Sequence, residues 1–315
     1  PVDHFLEVQL MDLASGETLL DKWFAETKRT LQPKQKKMVL NQFAKCSLPL
    51  YLKLAFEESR FWRSYDEQPK PLAPNIQGIL ENNLFVRLAD SRNHGNLLVS
   101  LSLSYIATAK DGMTEGEILD LLARDRAYST QLEAHSSEHG HKLPEKQIPV
   151  VLWARLYYDL ASYLTERGIS GSVLINFYHR QFSEAVERQY LEDGSKLERH
   201  VHLAQYFAEQ PLQISEGNPN LRKLSELPYQ QAHGQLTEGF VRTLTNFDFI
   251  KNTLNELGIT ELTVAYDFTD LLDLQHDMLH SLKLIQSALV MSAHILVNDA
   301  NALEHQLYGR LMQWK

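Results

Sequence analysis

The sequence predicts a mainly α protein in three parts: a small helical domain, a second helical domain with one β-hairpin, and an irregular helical array. Three observations predict this fold class. Apolar residues recur at three- and four-residue spacing along most of the chain, which is the period of amphipathic helices. Strand-like segments flank a glycine-bearing turn within 162–178. The 315 residues also exceed what one hydrophobic core usually holds, so two or three compact units are expected.

The composition of the chain excludes several classes of protein and partner. Apolar residues make up 43% and charged residues 23% of the chain, values of a soluble globular protein and not of a disordered or fibrous one. The formal net charge of −9 disfavours a broad phosphate-binding surface, so nucleic acid is not expected as a partner. Cys46 is the only cysteine, which excludes an internal disulfide and predicts a cytoplasmic location. The apolar stretch 282–297 is short and interrupted by polar residues, so it predicts a core helix and no membrane partner.

The first part of the chain predicts a strand followed by a small helical domain. Residues 5–13 alternate apolar and polar, as a strand does, and have no evident strand partner nearby. Pro33 suits the first turn of a helix because its ring fixes φ and it lacks an N–H. Short polar or proline-rich links separate the predicted helices, which lie at about 17–29, 33–45, 48–65 and 76–90. They form a helical domain over 15–92, and 1–14 belong to a preceding unit.

The second part, 93–193, predicts a winged-helix domain. The sequence Thr114-Glu115-Gly116-Glu117 is a capping box, in which the first and last side chains satisfy backbone N–H groups at the start of a helix. Helices are predicted at about 97–109, from this box to about 123, at about 148–160, and from the hairpin to about 191. A polar loop rich in histidine separates the second and third helices, and strands are predicted at 162–167 and 172–178. Three helices followed by a β-hairpin is the winged-helix order.

The third part, 194–315, predicts a helical arm. Only helical patterns follow Gly194, at about 195–209, 219–232, 235–244 and 246–257, with two or three longer helices to the end. No strict period relates them, so they predict an irregular array and not a regular repeat protein.

Motifs for catalysis and metal binding are largely missing. No glycine is followed by lysine, no two glycines stand in the G-x-G relation and no G-x-S-x-G sequence occurs, so no catalytic residue is predicted. The string from His135 to His139 reads H-x-x-E-H, the spacing of inverted zincins, but its polar setting argues against a zinc site. His276 and His280 stand four residues apart among charged residues, which favours a solvated helix face. The prediction is therefore no metal.

Five sequence segments carry a resemblance to a known family. They are Ser47-Leu48-Pro49-Leu50, which is similar to a GLPL motif, the run 50–60 (LYLKLAFEESR), 111–117 (DGMTEGE), 152–156 (LWARL) and 220–229 (NLRKLSELPY). Together they resemble, in order, the part of STAND-class NTPases that follows the P-loop core, and within that class the NACHT and WD-repeat proteins. The resemblance spans most of the chain, although each motif alone is short.

The resemblance implies a nucleotide site. The family's MHD motif, whose histidine reaches the phosphates of ADP, matches Tyr178, His179 and Arg180, where tyrosine replaces methionine and arginine replaces aspartate. It implies that Pro49, His179 and Arg180 contact ADP. A histidine at a helix N-terminus can offer an N–H to an anion that the helix dipole favours. From local sequence alone, Pro49 is also explained as a helix-start proline, and His179 as a core or boundary residue.

The function that the resemblance implies is a regulatory, nucleotide-state-sensing module of a signalling ATPase. The module holds ADP in a closed state and permits homo-oligomerisation after exchange for ATP. Its partners are its own nucleotide-binding core, to which the strand 5–13 is assigned, and WD repeats after Lys315. ADP or ATP with magnesium binds in the parent protein, a slow ATPase, and no cofactor is expected in the isolated chain. Alternatives are a winged-helix transcriptional regulator, disfavoured by the acidic residues of 114–125, and a helical scaffold for peptides over 195–315.

Overall fold

The computed structural model describes residues 9–65, 69–138, 148–169 and 172–312. It is mainly α, with two small antiparallel hairpins among these residues. A cluster of buried apolar side chains runs through all three predicted parts. The fold class predicted from the sequence is therefore confirmed.

The first part contains α1 (Leu13–Glu26), α2 (Pro33–Cys46), α3 (Pro49–Ser59), α4 (Ile76–Gly78), a π-helical stretch (Ile79–Phe85) and α5 (Val86–Ala89). The helix α1 begins four residues before its predicted start because Asp12 caps it, with Oδ1 accepting the N–H of Ser15 at 2.8 Å. Residues 9–12 are not a strand, and 5–8 of the predicted strand lie outside the described residues. The helix α3 ends at Ser59, six residues before its predicted end.

The second part contains α6 (Asn96–Thr108), α7 (Glu115–Arg124), α8 (Arg126–Glu138), α9 (Val150–Leu160), β1 (Leu164–Ile169), β2 (Ser172–Phe177) and α10 (Arg180–Tyr190). The strands β1 and β2 form the wing, with Leu164 opposite Phe177 and Ile169 opposite Ser172. Met113, two residues before α7, adds a single antiparallel bridge to Ile175, so the segment that leads into α7 borders the wing. The predicted capping box is confirmed, since Thr114 Oγ1 accepts the N–H of Glu117 at 3.1 Å.

The helix α8 corrects the prediction of a polar loop after residue 123. Asp125 starts this helix by accepting the N–H of Tyr128 at 2.9 Å, and the Tyr128 side chain is buried. The polar sequence gives little apolar period, so this tertiary burial was not visible in the pattern. Of the H-x-x-E-H string, the side chains of His135 and Glu138 and all of His139 lie outside the described residues.

The third part contains α11 (Ser195–Glu209), β3 (Gln213–Ser215), β4 (Asn218–Pro219), α12 (Leu221–His233), α13 (Thr237–Thr245), α14 (Phe247–Asp267), α15 (His276–Leu296) and α16 (Leu303–Leu311). The expectation of helices alone after Gly194 was wrong, because β3 and β4 form a short exposed hairpin. Gly258 has φ of 84° and bends α14 where a helix was predicted to end. In the described part of the chain, no helix is both long and apolar enough to span a bilayer.

A buried ionic cluster joins the winged-helix domain to the arm. Arg222 of α12 holds Glu117 of α7 through Nε at 2.8 Å and Glu226 of its own helix through Nη1 at 3.1 Å. Glu226 is fully buried and also accepts the backbone N–H groups of Lys110 and Asp111. These bonds compensate the removal of the charges from water, so the two parts are fastened at a fixed geometry.

Gly112 is the glycine whose substitution we expect to be most harmful. Its φ is 101°, and an added Cβ would lie 2.5 Å from the carbonyl oxygen of Ile175 in the wing. Gly112→Ala should therefore lower the free energy of unfolding by about 2–3 kcal/mol. Gly116→Ala is the matched control, because the nearest atom to its added Cβ lies 4.0 Å away in helix α7. It should change stability by at most about 0.5 kcal/mol, in the stabilising direction. Equal effects in urea unfolding would contradict the assignment of strain.

The buried imidazole of His200 predicts a loss of stability in mild acid. Burial lowers the pKa of His200 to about 4, while Nδ1 bonds Gln230 Oε1 at 2.7 Å. The unfolded chain, where histidine titrates near its ordinary pKa of about 6.5, then binds more protons between these values. Stability should fall by about 2 kcal/mol from this group between pH 7.5 and pH 5. Urea unfolding at both pH values checks it, and His200→Gln should flatten the slope; an unchanged slope would contradict the burial effect.

Candidate functional site

A cavity of about 320 Å³ lies between the helical domain and the winged-helix domain. One wall comes from α3 and the π-helical stretch, and the other from the segments before β1 and after β2. The lining residues are Leu50, Lys53, Leu54 and Leu80 on the first wall, and Ser162, Tyr163, Tyr178, His179 and Phe182 on the second. The two sequence-predicted segments around Pro49 and His179 therefore meet at one cavity, although they are far apart in the chain.

His179 is held at the start of α10. It is the N-cap residue of this helix, and its Nδ1 accepts the backbone N–H of Gln181 at 3.2 Å. Because Nδ1 is the acceptor, the neutral imidazole carries its proton on Nε2. The side chain is exposed and lines the cavity, so it is not a core residue. The imidazole thus has an N–H that it can donate to a ligand.

Pro49 occupies the first position of α3, as its fixed φ favours. Its side chain is exposed and does not line the cavity itself, whereas the next residue, Leu50, does. Ser47, two residues before Pro49, ends α2 in the left-handed conformation with φ of 54°. This turn brings the start of α3 to the mouth of the cavity.

Arg180 lies outside the lining of the cavity. Its guanidinium is 87% exposed and pairs with Glu184 through Nε at 2.9 Å. An exposed ion pair of this kind is weak, so it is readily exchanged for another anion. The predicted contact of Arg180 with a phosphate stays a prediction.

Lys53 is a positively charged residue in the lining of the cavity, and it was not predicted from the sequence. Its ammonium lies 2.9 Å from Glu57 Oε1 and about 5 Å from the ring centroids of Trp23 and Phe56. The i,i+4 spacing of Lys53 and Glu57 was visible in the sequence, but it reads as an ordinary helix pair. The lining by His179 and Lys53 gives the cavity two nitrogen donors among largely apolar walls.

Polar contacts fasten the two walls together. Ser162 Oγ donates to Glu57 Oε1 at 3.0 Å, and Glu57 also accepts from Arg60 at 2.8 Å. Beside this contact, the Arg87 guanidinium binds the Glu58 carboxylate, with Nη2 at 2.8 Å from Oε1. Both carboxylates are buried, and each has a cationic partner that offsets the loss of its hydration.

The polar contacts between the walls extend to Asp159 of α9. His94 Nε2 lies 3.0 Å from Asp159 Oδ2, and Arg87 Nη1 lies 3.8 Å from the same oxygen. The hydrogen bond from His94 and the nearby positive charges lower the pKa of Asp159 below its usual value. Asp159 is therefore ionised at neutral pH and helps to keep the cavity's two walls in place.

The cavity combines two nitrogen donors with apolar walls, a combination that suits an anion with an apolar or aromatic part. Imidazole and ammonium N–H groups form charge-assisted bonds with phosphate oxygens, and leucine and aromatic side chains offer surface to a base. Among the described residues, no group of three metal-ligating side chains could hold a metal ion.

Comparisons with known proteins show which proteins the chain is similar to. Residues 72–198 match the family described as NWD1-like, winged helix-turn-helix domain. The chain is 31% identical over 291 residues to NACHT domain- and WD repeat-containing protein 1 of Homo sapiens, covering 84% of this chain. It is 32% identical over 207 residues to NACHT and WD repeat domain-containing protein 2 of Mus musculus, covering 65% of this chain. The chain spans 18% and 12% of the lengths of these relatives, respectively. No solved structure matches it.

Proposed function

The chain belongs to the NACHT and WD-repeat protein family, and on that premise we propose that it is the nucleotide-state-sensing module of a signalling ATPase. In the proposal, the module clasps ADP between its own cavity and a P-loop core, and this clasp keeps the whole protein closed. Replacement of ADP by ATP opens the protein and allows copies of it to associate. The module itself catalyses nothing.

One observation carries the proposal: the start of α3 and the His179 imidazole flank the same cavity. An exposed histidine whose Nδ1 is already used as a cap has no structural need for its Nε2–H. A phosphate would give that N–H an acceptor, and it would gain from the positive end of the α10 dipole. Pro49, Leu50 and Lys53 would contact the remainder of the nucleotide, with Arg180 joining once it leaves Glu184.

The polar contacts between the two walls would allow a bound nucleotide to control opening. Among the described residues, few polar contacts cross between the walls: the Ser162–Glu57 hydrogen bond at 3.0 Å, and the ion pairs of Arg87 with Asp159 at 3.8 Å and of Arg188 with Glu81 at 3.0 Å. A ligand that touches both walls stabilises the closed arrangement by its differential affinity for the two states. Loss of the ligand's contacts with one wall therefore favours opening.

The properties of the entire protein extend the proposal. A P-loop core would supply the glycine-rich loop, its lysine and the magnesium ligands, and it would make the parent protein a slow ATPase. WD repeats would sense the trigger, and a cytoplasmic location suits the lone, reduced Cys46. Opened copies would form a homo-oligomer.

The experiment that tests the proposal is nucleotide retention. A protein that carries this chain next to a P-loop core should purify with bound ADP, and substitutions at His179 should release it. If the ADP content is unaffected by changes at Pro49, Lys53 and His179 together, the proposal is wrong.

A further inference from the structure

A second and larger cavity, of about 730 Å³, lies in the helical arm, away from the nucleotide site. It is enclosed by α11, α12, α13 and the start of α14. Its size is within the range of about 300–1,000 Å³ that is typical of ligand sites. The proposed nucleotide function makes no use of it.

The side-chain oxygen of Gln231, a residue that lines this cavity, lacks a hydrogen-bond partner among the described residues. Gln231 lines the cavity and is 5% exposed, and its Oε1 is buried without a hydrogen bond among the described residues. Its Nε2 lies close to Gly239 of α13, where an added Cβ would stand 3.0 Å from it. A buried oxygen without a hydrogen bond destabilises a fold, so an unsatisfied oxygen on a cavity-lining side chain points to a ligand.

The cavity also presents a free positive charge. Arg242 lines it and is exposed, and in the described part of the chain no carboxylate lies within 4.0 Å of its guanidinium. Glu238 lines the same cavity one helical turn earlier without forming that pair. Lys223 is 8% exposed, and its ammonium donates to the carbonyls of Ala208, at 2.9 Å, and Gln210. The charged lining residues thus carry one net positive charge in a chain of net charge −9.

These groups select a chemical class of ligand. The unsatisfied oxygen of Gln231 is a hydrogen-bond acceptor, which matches a backbone N–H of an extended peptide. An unpaired guanidinium matches a carboxylate. Leu212, Leu227 and Phe249 supply apolar surface for a side chain between them. We propose that the cavity of the helical arm binds a short peptide segment with an acidic residue, whose backbone pairs with Gln231 and whose carboxylate pairs with Arg242.

The test uses the 315-residue chain without nucleotide, so that its outcome is independent of the ADP proposal. The probes are fluorescein-labelled hexapeptides of alanine and leucine with one aspartate at each position, and a matched set with asparagine. Fluorescence polarisation should give dissociation constants at least about tenfold lower for the best aspartate peptide than for its asparagine counterpart. Arg242→Gln should abolish that difference. Lys251→Gln, an exposed change on α14 outside the lining, should preserve it.

A second variant separates binding from folding. Gln231→Leu removes the amide while keeping a similar volume, so it should weaken the best peptide by about tenfold and leave the melting temperature unchanged or higher. The proposal is overturned if aspartate and asparagine peptides bind equally, or if Arg242→Gln leaves the affinities unchanged. It is also overturned if no peptide has a dissociation constant below about 1 mM. Binding of glutarate without binding of any peptide would overturn it as well.

Discussion

Replacing Arg222 by methionine is expected to lower the free energy of unfolding by about 3–5 kcal/mol. The guanidinium bonds Glu117 Oε1 at 2.8 Å, Glu226 Oε1 at 3.1 Å and the carbonyl of Gly112 at 2.8 Å. Methionine replaces the aliphatic stem of arginine but has no charged group, so two buried carboxylates would face each other without a cation. The loss of stability arises more from these unpaired buried carboxylates than from the lost hydrogen bonds.

Protonation of Glu226 should reduce this loss of stability at acid pH. Burial raises the pKa of Glu226, and the positive charge of Arg222 works against that rise. Without Arg222 the pKa of Glu226 should rise further, so the variant's deficit should be smaller at pH 5 than at pH 8. Urea unfolding of both proteins at the two pH values measures this.

Lys196→Met is the matched control for the charge change. Lys196 pairs with Glu187 at 3.1 Å, but both side chains are almost half exposed, at 46% and 42%. Such a pair contributes at most about 1 kcal/mol, and water solvates the remaining carboxylate. If Arg222→Met costs no more than Lys196→Met, the buried cluster is not what fastens the winged-helix domain to the arm.

Local signals in the sequence predicted much of the fold. The capping box at Thr114 and the helix-start proline at Pro33 act within one turn of helix, so the residues that decide the structure are adjacent. The helix α8 and the β3–β4 hairpin were missed for the opposite reason. Burial of Tyr128 depends on distant packing, and a hairpin of five strand residues shows too little alternation to detect.

The candidate site depended on a different kind of information. Pro49, His179 and Arg180 were named from the family resemblance, and their contact with a nucleotide remains a prediction. Lys53 and Ser162 could not be found in that way, because they reach the cavity only through the packing of α3 against the segment before β1. Pairing across such sequence separations is a property of the fold, and short motifs do not encode it.

Changing His179 to asparagine should accelerate ADP release from the protein that carries this chain and a P-loop core by about 10- to 100-fold. A hydrogen bond from the imidazole to a charged phosphate contributes about 1.5–3 kcal/mol, and its loss shifts the closed state toward the open one by one to two orders of magnitude. Asparagine keeps an oxygen that can cap the N–H of Gln181, so α10 should remain intact. The release rate is measured by stopped-flow displacement of a fluorescent ADP analogue, and oligomer formation by light scattering.

His179→Ala and Arg180→Ala make the assignment specific. Alanine loses both the cap and the Nε2–H, so it should release ADP as fast as asparagine and also lower stability by about 1 kcal/mol. Arg180 is outside the cavity lining and paired with Glu184, so Arg180→Ala should affect release less than either change at His179. Normal ADP release and normal thermal stability of His179→Asn, together with reduced stability of His179→Ala, would make His179 a helix cap and nothing more. Because asparagine spares the cap, a loss of ADP retention in His179→Asn cannot be caused by a loss of helix capping, and each outcome identifies one role for the imidazole.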